Sequence, residues 1–214
     1  MALARPIRVV VLLSGRGSNF QAIAEAQLPI EIVAVISNRP HAAGLAYARS
    51  HGLTAVALDH ADHSDREVFD ARLADEIERH QPDLVVLAGY MRILSPAFIA
   101  RFEGRLLNIH PSLLPMFPGL NTHERALAEG VKIHGCSVHF VTAQLDHGPI
   151  VIQAAVPVRA DDTADTLAAR VLAQEHRIYP QAIRWFAEGR LIINHGRVNL
   201  KDDLTSQSVL STGT

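Results

Sequence analysis

The sequence predicts an α/β fold: a single domain on a mostly parallel twisted sheet, with helices on both faces and mixed strand directions in the C-terminal part. Three observations carry this. Short apolar runs of strand length (Ile7–Leu13, Glu31–Ile36, Asp83–Ala88, Arg105–Ile109) read as strands covered on both faces. Helix-length stretches separate them, which makes βαβ units of the Rossmann-like kind. From Ile133 onward two strands follow each other without a helix between them, which predicts the mixed directions.

The chain has 214 residues, enough for one sizeable core. It is 48% hydrophobic and 20% charged, an ordinary globular composition. A formal charge of −2 gives no global attraction to nucleic acid. No segment is long and apolar enough to span a membrane, and Met1–Pro6 is too short for a signal peptide, so the expected compartment is the cytoplasm. The lone Cys136 excludes an intrachain disulfide and a cysteine metal cluster, and reads as a small buried hydrophobe. Residues 203–214, rich in Ser and Thr, read as a flexible tail behind a domain covering 1–202.

Ile7–Leu13 runs directly into Ser14-Gly15-Arg16-Gly17-Ser18-Asn19, and a helix begins near Ser18. Strand, glycine-rich turn and helix make a phosphate site, because free N–H groups at the helix start face the anion. A dinucleotide is disfavoured. Phe20 stands where a third glycine is needed, and the second strand ends in Ser37-Asn38-Arg39 without an acidic residue. The residues alone leave two readings open: a phosphate-monoester site, or a plain turn capped by Ser18.

Ala42–His51 reads as a helix closed by Gly52, and Thr54–Leu58 as a short strand. Ser64 and Glu67 form a capping box for a helix reaching about His80. Arg66 in its first turn opposes the helix dipole, which hints at a carboxylate partner. After the Asp83–Ala88 strand, the loop Gly89–Leu94 carries apolar residues, and Ser95-Pro96 starts a helix.

Arg105–Ile109 is the next strand. Asn108 and His110 share one side of it, because strand side chains alternate, and Pro111 ends it. An amide and an imidazole at the carboxyl end of a strand suit a reaction at a carbonyl: Asn108 can donate to an oxyanion, and His110 can donate to it or move a proton. A loop-capping pair is the other reading of these two residues. Thr122–Glu129 reads as a helix, Ile133–Val141 and Ile150–Val158 as strands, and Asp146 lies in the loop between them. Asp161-Asp162-Thr163 caps a long helix whose apolar stripe is Leu167, Val171, Ile178, Ala182 and Trp185. Pro180 predicts a kink, and Glu175 falls beside the stripe, where a carboxylate is costly without a partner. Leu191–Asn194 and Arg197–Leu200 read as a hairpin. The scattered histidines, including His60 and His63, lack ligands at structural-site spacing, so no metal is expected.

Asn108-Ile109-His110-Pro111-Ser112-Leu113-Leu114-Pro115 resembles the signature of the folate-dependent formyltransferases. Pro118–His123, Ser137–Val141 and Leu145–Ile150 continue the resemblance, which runs from about Val9 to about Leu191. It implies a formyltransferase domain with a phosphate-binding half at about 7–104 and a folate and catalytic half at about 105–200. The implied activity moves a formyl group from 10-formyltetrahydrofolate to the amine of phosphoribosylglycinamide in purine synthesis. The folate is then a consumed co-substrate, and no tightly bound cofactor is needed. The implied partners are these small molecules only, with no nucleic acid or membrane, in a monomer or weak homodimer.

The resemblance also assigns roles. Asn108, His110 and Asp146 are catalytic, with Asp146 near His110, favouring its charged form. Gly17, Ser18 and Asn19 hold the substrate phosphate, and Glu175 the ribose hydroxyls. Arg66, Met91, Arg92, Ile93, Leu94, Asn108, Thr142 and Asp146 bind the folate, and the Leu114–Pro115 bond is cis. Asn121 departs from the family, where histidine is common. Three other readings compete. A tRNA formyltransferase is expected to have a further C-terminal domain and a basic surface. A formyltetrahydrofolate deformylase is expected to have an extra N-terminal domain. A non-catalytic sugar-phosphate sensor would leave Asn108, His110 and Asp146 unexplained.

Overall fold

The computed structural model describes residues 5–63, 65–201 and 209–211. The chain divides into two compact units, Met1–Leu107 and Asn108–Thr214.

The first unit runs β1 (Ile7–Leu13), α1 (Ser18–Glu25), β2 (Ile30–Ser37), α2 (Ala43–Ser50), β3 (Ala55–Ala57), α3 (Arg66–Arg79), β4 (Leu84–Leu87) and α4 (Pro96–Arg101). Its strands lie in the order β4-β1-β2-β3. β1 pairs in parallel with both β2 and β4, and β2 in parallel with β3. Val9–Leu13 is wholly buried, so the central strand is covered on both faces, as a continuous apolar run requires. α1 buries Phe20 and Ile23, and α3 buries Phe69, Leu73 and Ile77, spaced along one helical face. α4 begins as the sequence predicts, with the Ser95 hydroxyl accepting from the Phe98 N–H and Pro96 in the first turn.

The cap of α3 differs from expectation. Asp65 is the N-cap, its carboxylate accepting from the N–H groups of Glu67 and Val68 at 2.6 and 3.2 Å. An ionised acceptor at a helix start outcompetes a serine one residue earlier. Ser64 itself lies outside the described residues.

β5 (Leu106–His110) carries the chain into the second unit, followed by α5 (Thr122–Ala128), β6 (Ile133–Phe140), β7 (Ile150–Pro157), α6 (Ala164–Ala187), the hairpin β8 (Leu191–Asn194) and β9 (Arg197–Leu200), and β10 (Val209–Ser211). The strand order here is β10-β7-β6-β5. β6 and β7 are antiparallel, giving the mixed directions expected of this half. His195 and Gly196, at φ +48° and +74°, make the hairpin turn between β8 and β9.

As the apolar stripe predicts, α6 is one long helix that runs through Pro180 to Ala187, with Leu167, Val171, Ile178, Ala182 and Ile183 buried on either side of the proline; this packing outweighs one lost hydrogen bond. One expectation is corrected. Part of the expected tail is a strand: Val209–Ser211 pairs in parallel with Gln153–Ala155. β7 offers backbone N–H and C=O groups along that edge, and an extended segment satisfies them. The rest of 203–214 lies outside the described residues.

Candidate active site

In the second unit β5 ends in the loop that follows His110, and hydrogen bonds pin that loop. The Ser137 hydroxyl donates to the Ser112 carbonyl at 2.7 Å and accepts from the Leu114 N–H at 3.0 Å. Gln153 Nε2 donates to the Leu114 carbonyl and to the same hydroxyl. The Thr122 hydroxyl donates to the Pro111 carbonyl at 2.8 Å. The Leu114–Pro115 bond is cis, as the resemblance implies. Serine, glutamine and threonine side chains thus hold backbone that no strand ladder could hold.

The pinned loop in turn orients His110. The imidazole is buried, and Nε2 lies 2.9 Å from the Phe117 carbonyl oxygen. A carbonyl can only accept, so Nε2 carries a hydrogen. Nδ1 then faces Asp146 Oδ2 at 3.4 Å, with both side chains less than a tenth exposed. Any further proton taken up by His110 goes onto Nδ1, beside a carboxylate.

Asp146 is held from the other side. Its Oδ2 accepts from the Gly119 N–H at 2.8 Å. Its backbone sits at φ +50°, in the left-handed region that a short aspartate tolerates. The loop carrying it is closed by the Phe140 N–H donating to the Pro149 carbonyl. Gly148 makes this closure possible, since a Cβ there would fall 1.7 Å from the Phe140 carbonyl oxygen. Thr142, also in this loop, donates to the Gln144 carbonyl.

His139 completes the cluster, and its place was not legible beforehand. It is buried on β6, with Nδ1 3.0 Å from the Phe140 carbonyl and Nε2 3.3 Å from Asn108 Nδ2. Burial pushes its basicity down, helped by the nearby His110, while the Phe140 carbonyl and Asp146 push the other way. The ring is therefore neutral near pH 7. Alternation along Ser137-Val138-His139 could have put a polar residue beside Asn108, but only the sheet order pairs β6 with β5.

Two more histidines lie behind the loop. His134 packs edge-on to both Phe117 and His123, at 5.8 and 5.3 Å. Burial and the neighbouring His123 push His134 down to about 4, against the Pro111 carbonyl, which favours its charged form. His123 is also lowered, chiefly by burial. Asn121, at φ +55°, is the N-cap of α5 and makes no side-chain cap bond. Glu175 is buried on α6, close enough to Cys136 that its charge adds to the burial holding that thiol protonated.

The remaining candidates belong to the first unit. Gly17 is the N-cap of α1 in the left-handed conformation, and no side chain caps that helix. A Cβ on Gly17 would lie 3.1 Å from Gly44 Cα, so close packing as well as φ requires glycine. Gly44 donates its N–H to the Gly15 carbonyl, which anchors the turn. Ser18 is half-buried and Asn19 buried, at the start of α1. This is a backbone-lined helix start, suited to an anion.

The loop from Gly89 to Leu94 is tied at both ends. Ser14 Oγ accepts from the Met91 N–H at 2.9 Å, and Asp70 Oδ2 accepts from the Ser95 N–H at 2.6 Å. Met91 and Ile93 between these ties are 62% and 59% exposed, an apolar surface on a fixed backbone. Leu94 is buried, and the Arg92 guanidinium lies over the Phe69 ring at 4.9 Å. Arg66 is exposed in the first turn of α3.

The second unit therefore brings together Asn108, His110, Asp146 and His139: an amide donor, two imidazoles and a carboxylate, a set suited to a reaction at a carbonyl. Among the described residues no group of three His, Cys, Asp or Glu could hold a metal ion. No helix among them is long and apolar enough to cross a membrane.

Residues 7–183 match the Formyl transferase family, and the chain belongs to it. Within the family it is 53% identical over 189 residues to phosphoribosylglycinamide formyltransferase of Escherichia coli, an alignment covering 86% of this chain and 89% of that protein. Its fold is similar to that of glycinamide ribonucleotide transformylase 1 from Symbiobacterium toebii, with a TM-score of 0.90 and 51% identity over 94% of this chain and 96% of that one. A formyltetrahydrofolate deformylase from Pseudomonas syringae shares the fold at a TM-score of 0.87 but only 28% identity, over 93% of this chain and 67% of that one.

Proposed function

We infer that this enzyme transfers the formyl group of 10-formyltetrahydrofolate to the amine of 5-phosphoribosylglycinamide, a one-carbon step of purine synthesis. The observation that carries the reading is the His110–Asp146 pair beside Asn108, in a chain 53% identical to a phosphoribosylglycinamide formyltransferase.

The substrate amine attacks the formyl carbon, and the carbonyl oxygen becomes an oxyanion. Asn108 and the Nδ1–H of protonated His110 donate hydrogen bonds to that oxygen. Asp146 balances the positive ring and accepts, through water, the proton that the ammonium must lose. Collapse of the intermediate expels the tetrahydrofolate nitrogen, which takes a proton from His110. Gly17, Ser18 and Asn19 bind the phosphate with helix N–H groups, and Glu175 binds the ribose hydroxyls. Arg66, Met91, Arg92, Ile93, Leu94, Asn108, Thr142 and Asp146 bind the folate. The folate is consumed at each turnover, and no resident cofactor takes part. The enzyme acts in the cytoplasm as a monomer or weak homodimer.

The deformylase likeness defines the competing reading, in which water replaces the amine. Formyl transfer measured with the glycinamide substrate, against formate release without it, separates the two. Formate release that ignores the amine would overturn the proposal.

A further inference from the structure

We infer that His139 is a positioning residue: its bare ring nitrogen decides which end of the Asn108 amide faces the reacting carbonyl. The inference rests on the formyl-transfer reading above.

An asparagine side chain has two ends of nearly equal size and opposite hydrogen-bonding character. Oxyanion stabilisation needs the N–H end. Nothing within Asn108 makes that choice, and the neighbouring strand does. His139 is 2% exposed, and its Nδ1 lies 3.0 Å from the Phe140 carbonyl oxygen. That oxygen can only accept, so Nδ1 holds the ring hydrogen and Nε2 presents a lone pair. Asn108 Nδ2 sits 3.3 Å from this lone pair. Turned over, the amide would aim its oxygen at Nε2, leaving two buried acceptors facing each other with no hydrogen between them. In the seated orientation one amide N–H is used on Nε2, and the second is kept for a substrate oxygen.

The device works only while His139 is neutral, since a charged ring would donate from both nitrogens. Burial keeps it neutral. Among the described residues Asp146 is the carboxylate that opposes this, and its Oδ1 stands 3.9 Å from Nε2, beyond hydrogen-bond range. The arrangement thus divides labour between two buried histidines. His110 has its Nε2 hydrogen committed to a carbonyl and turns Nδ1 toward the Asp146 carboxylate. His139 has its Nδ1 hydrogen committed to a carbonyl and stays an acceptor at Nε2.

His139→Phe removes the acceptor but keeps a ring, and His139→Gln retains an acceptor within reach of the Nε2 position. His139→Phe is expected to lower kcat roughly tenfold to a hundredfold, as misplacement of a reacting group does, with both KM values changed by less than about threefold. His139→Gln is expected to recover most of that loss. In an Asn108→Ala background, adding His139→Phe should cost less than about threefold, because no amide remains to be oriented. An equal cost in both backgrounds marks a merely structural ring and overturns the inference. Nitrogen-15 NMR of the wild-type imidazole supplies a readout independent of activity and of variant folding. It should report Nδ1 protonated and Nε2 bare at neutral pH, and a protonated Nε2 overturns the inference. Absence of formyl transfer by the wild-type enzyme would instead overturn the functional reading, while the ring tautomer would still decide the orientation of Asn108.

Discussion

The two units build recognition from opposite materials. The Gly15–Asn19 turn of the first is backbone: an uncapped helix start whose geometry depends on Gly17 at φ +75° and on close approach to Gly44. The cluster in the second unit is side chains, each oriented by another group: His110 by the Phe117 carbonyl, Asp146 by the Gly119 N–H, Asn108 by His139. The first kind of site is sensitive to volume and indifferent to most side-chain chemistry. The second is sensitive to single protons and to which nitrogen carries them. A phosphate has its charge throughout the reaction, so fixed dipoles serve it. A formyl oxygen acquires charge only during reaction, so it needs groups whose hydrogens are assigned in advance.

The largest expected effect lies in the side-chain cluster. Asp146→Asn keeps size and removes charge, and should lower turnover by roughly 10²–10⁴-fold, the span of a positioned acid–base group. Steady-state kinetics should find KM values much less affected, and near-normal turnover would make the His110–Asp146 pair structural.

Acid should expose the histidine packed behind the pinned loop. His134 is held down to about 4 in the folded chain, against an ordinary value near 6.5 when unfolded. The unfolded chain therefore binds the extra proton between those values. Stability is complete above about pH 6.5 and falls as pH drops toward 4, where the loss levels off. This group alone contributes on the order of 3 kcal/mol to that fall. His134→Gln should flatten the acid limb in denaturant titrations at pH 7 and 4.5, and an unchanged limb would assign the acid loss elsewhere.

The backbone site should respond to bulk. Gly17→Ala places a Cβ at positive φ, at a cost of about 1–2 kcal/mol, and should raise KM for the glycinamide substrate with little change for the folate. The smallest effect tests charge alone. Ser18→Asp should weaken the phosphorylated substrate roughly tenfold through repulsion, without a change in melting temperature. Equal weakening of both substrates would detach this turn from the phosphate.

Much of this architecture was readable from local chemistry. The run Ile7–Leu13 gave β1 residue for residue, and the Ser95-Pro96 pair gave the start of α4. Asn108 and His110 could be placed side by side by strand alternation alone. What was not readable depends on partners distant in sequence. The ring hydrogens of His110 and His139 are assigned by carbonyls of Phe117 and Phe140, and every residue type has a carbonyl. The edge of β7 made a strand of Val209–Ser211, which the Ser- and Thr-rich composition of that stretch did not suggest. Asp146 came from resemblance, since no spacing rule spans its distance from His110.

The Phe140 carbonyl oxygen is shared by two neighbours that have no chemistry in common. It takes the His139 ring hydrogen, and it occupies the space that any Cβ at position 148 would need. Enlarging Gly148 would therefore push on the oxygen that sets the His139 tautomer, and at the same time on the loop that carries Asp146. In a saturation-mutagenesis survey read by growth, position 148 should score with Asn108 and Asp146 although it has no functional group. Its substitutions should also combine less than additively with those at His139. Such a site would look like conserved catalysis in a census of variants, while its constraint is one of exclusion.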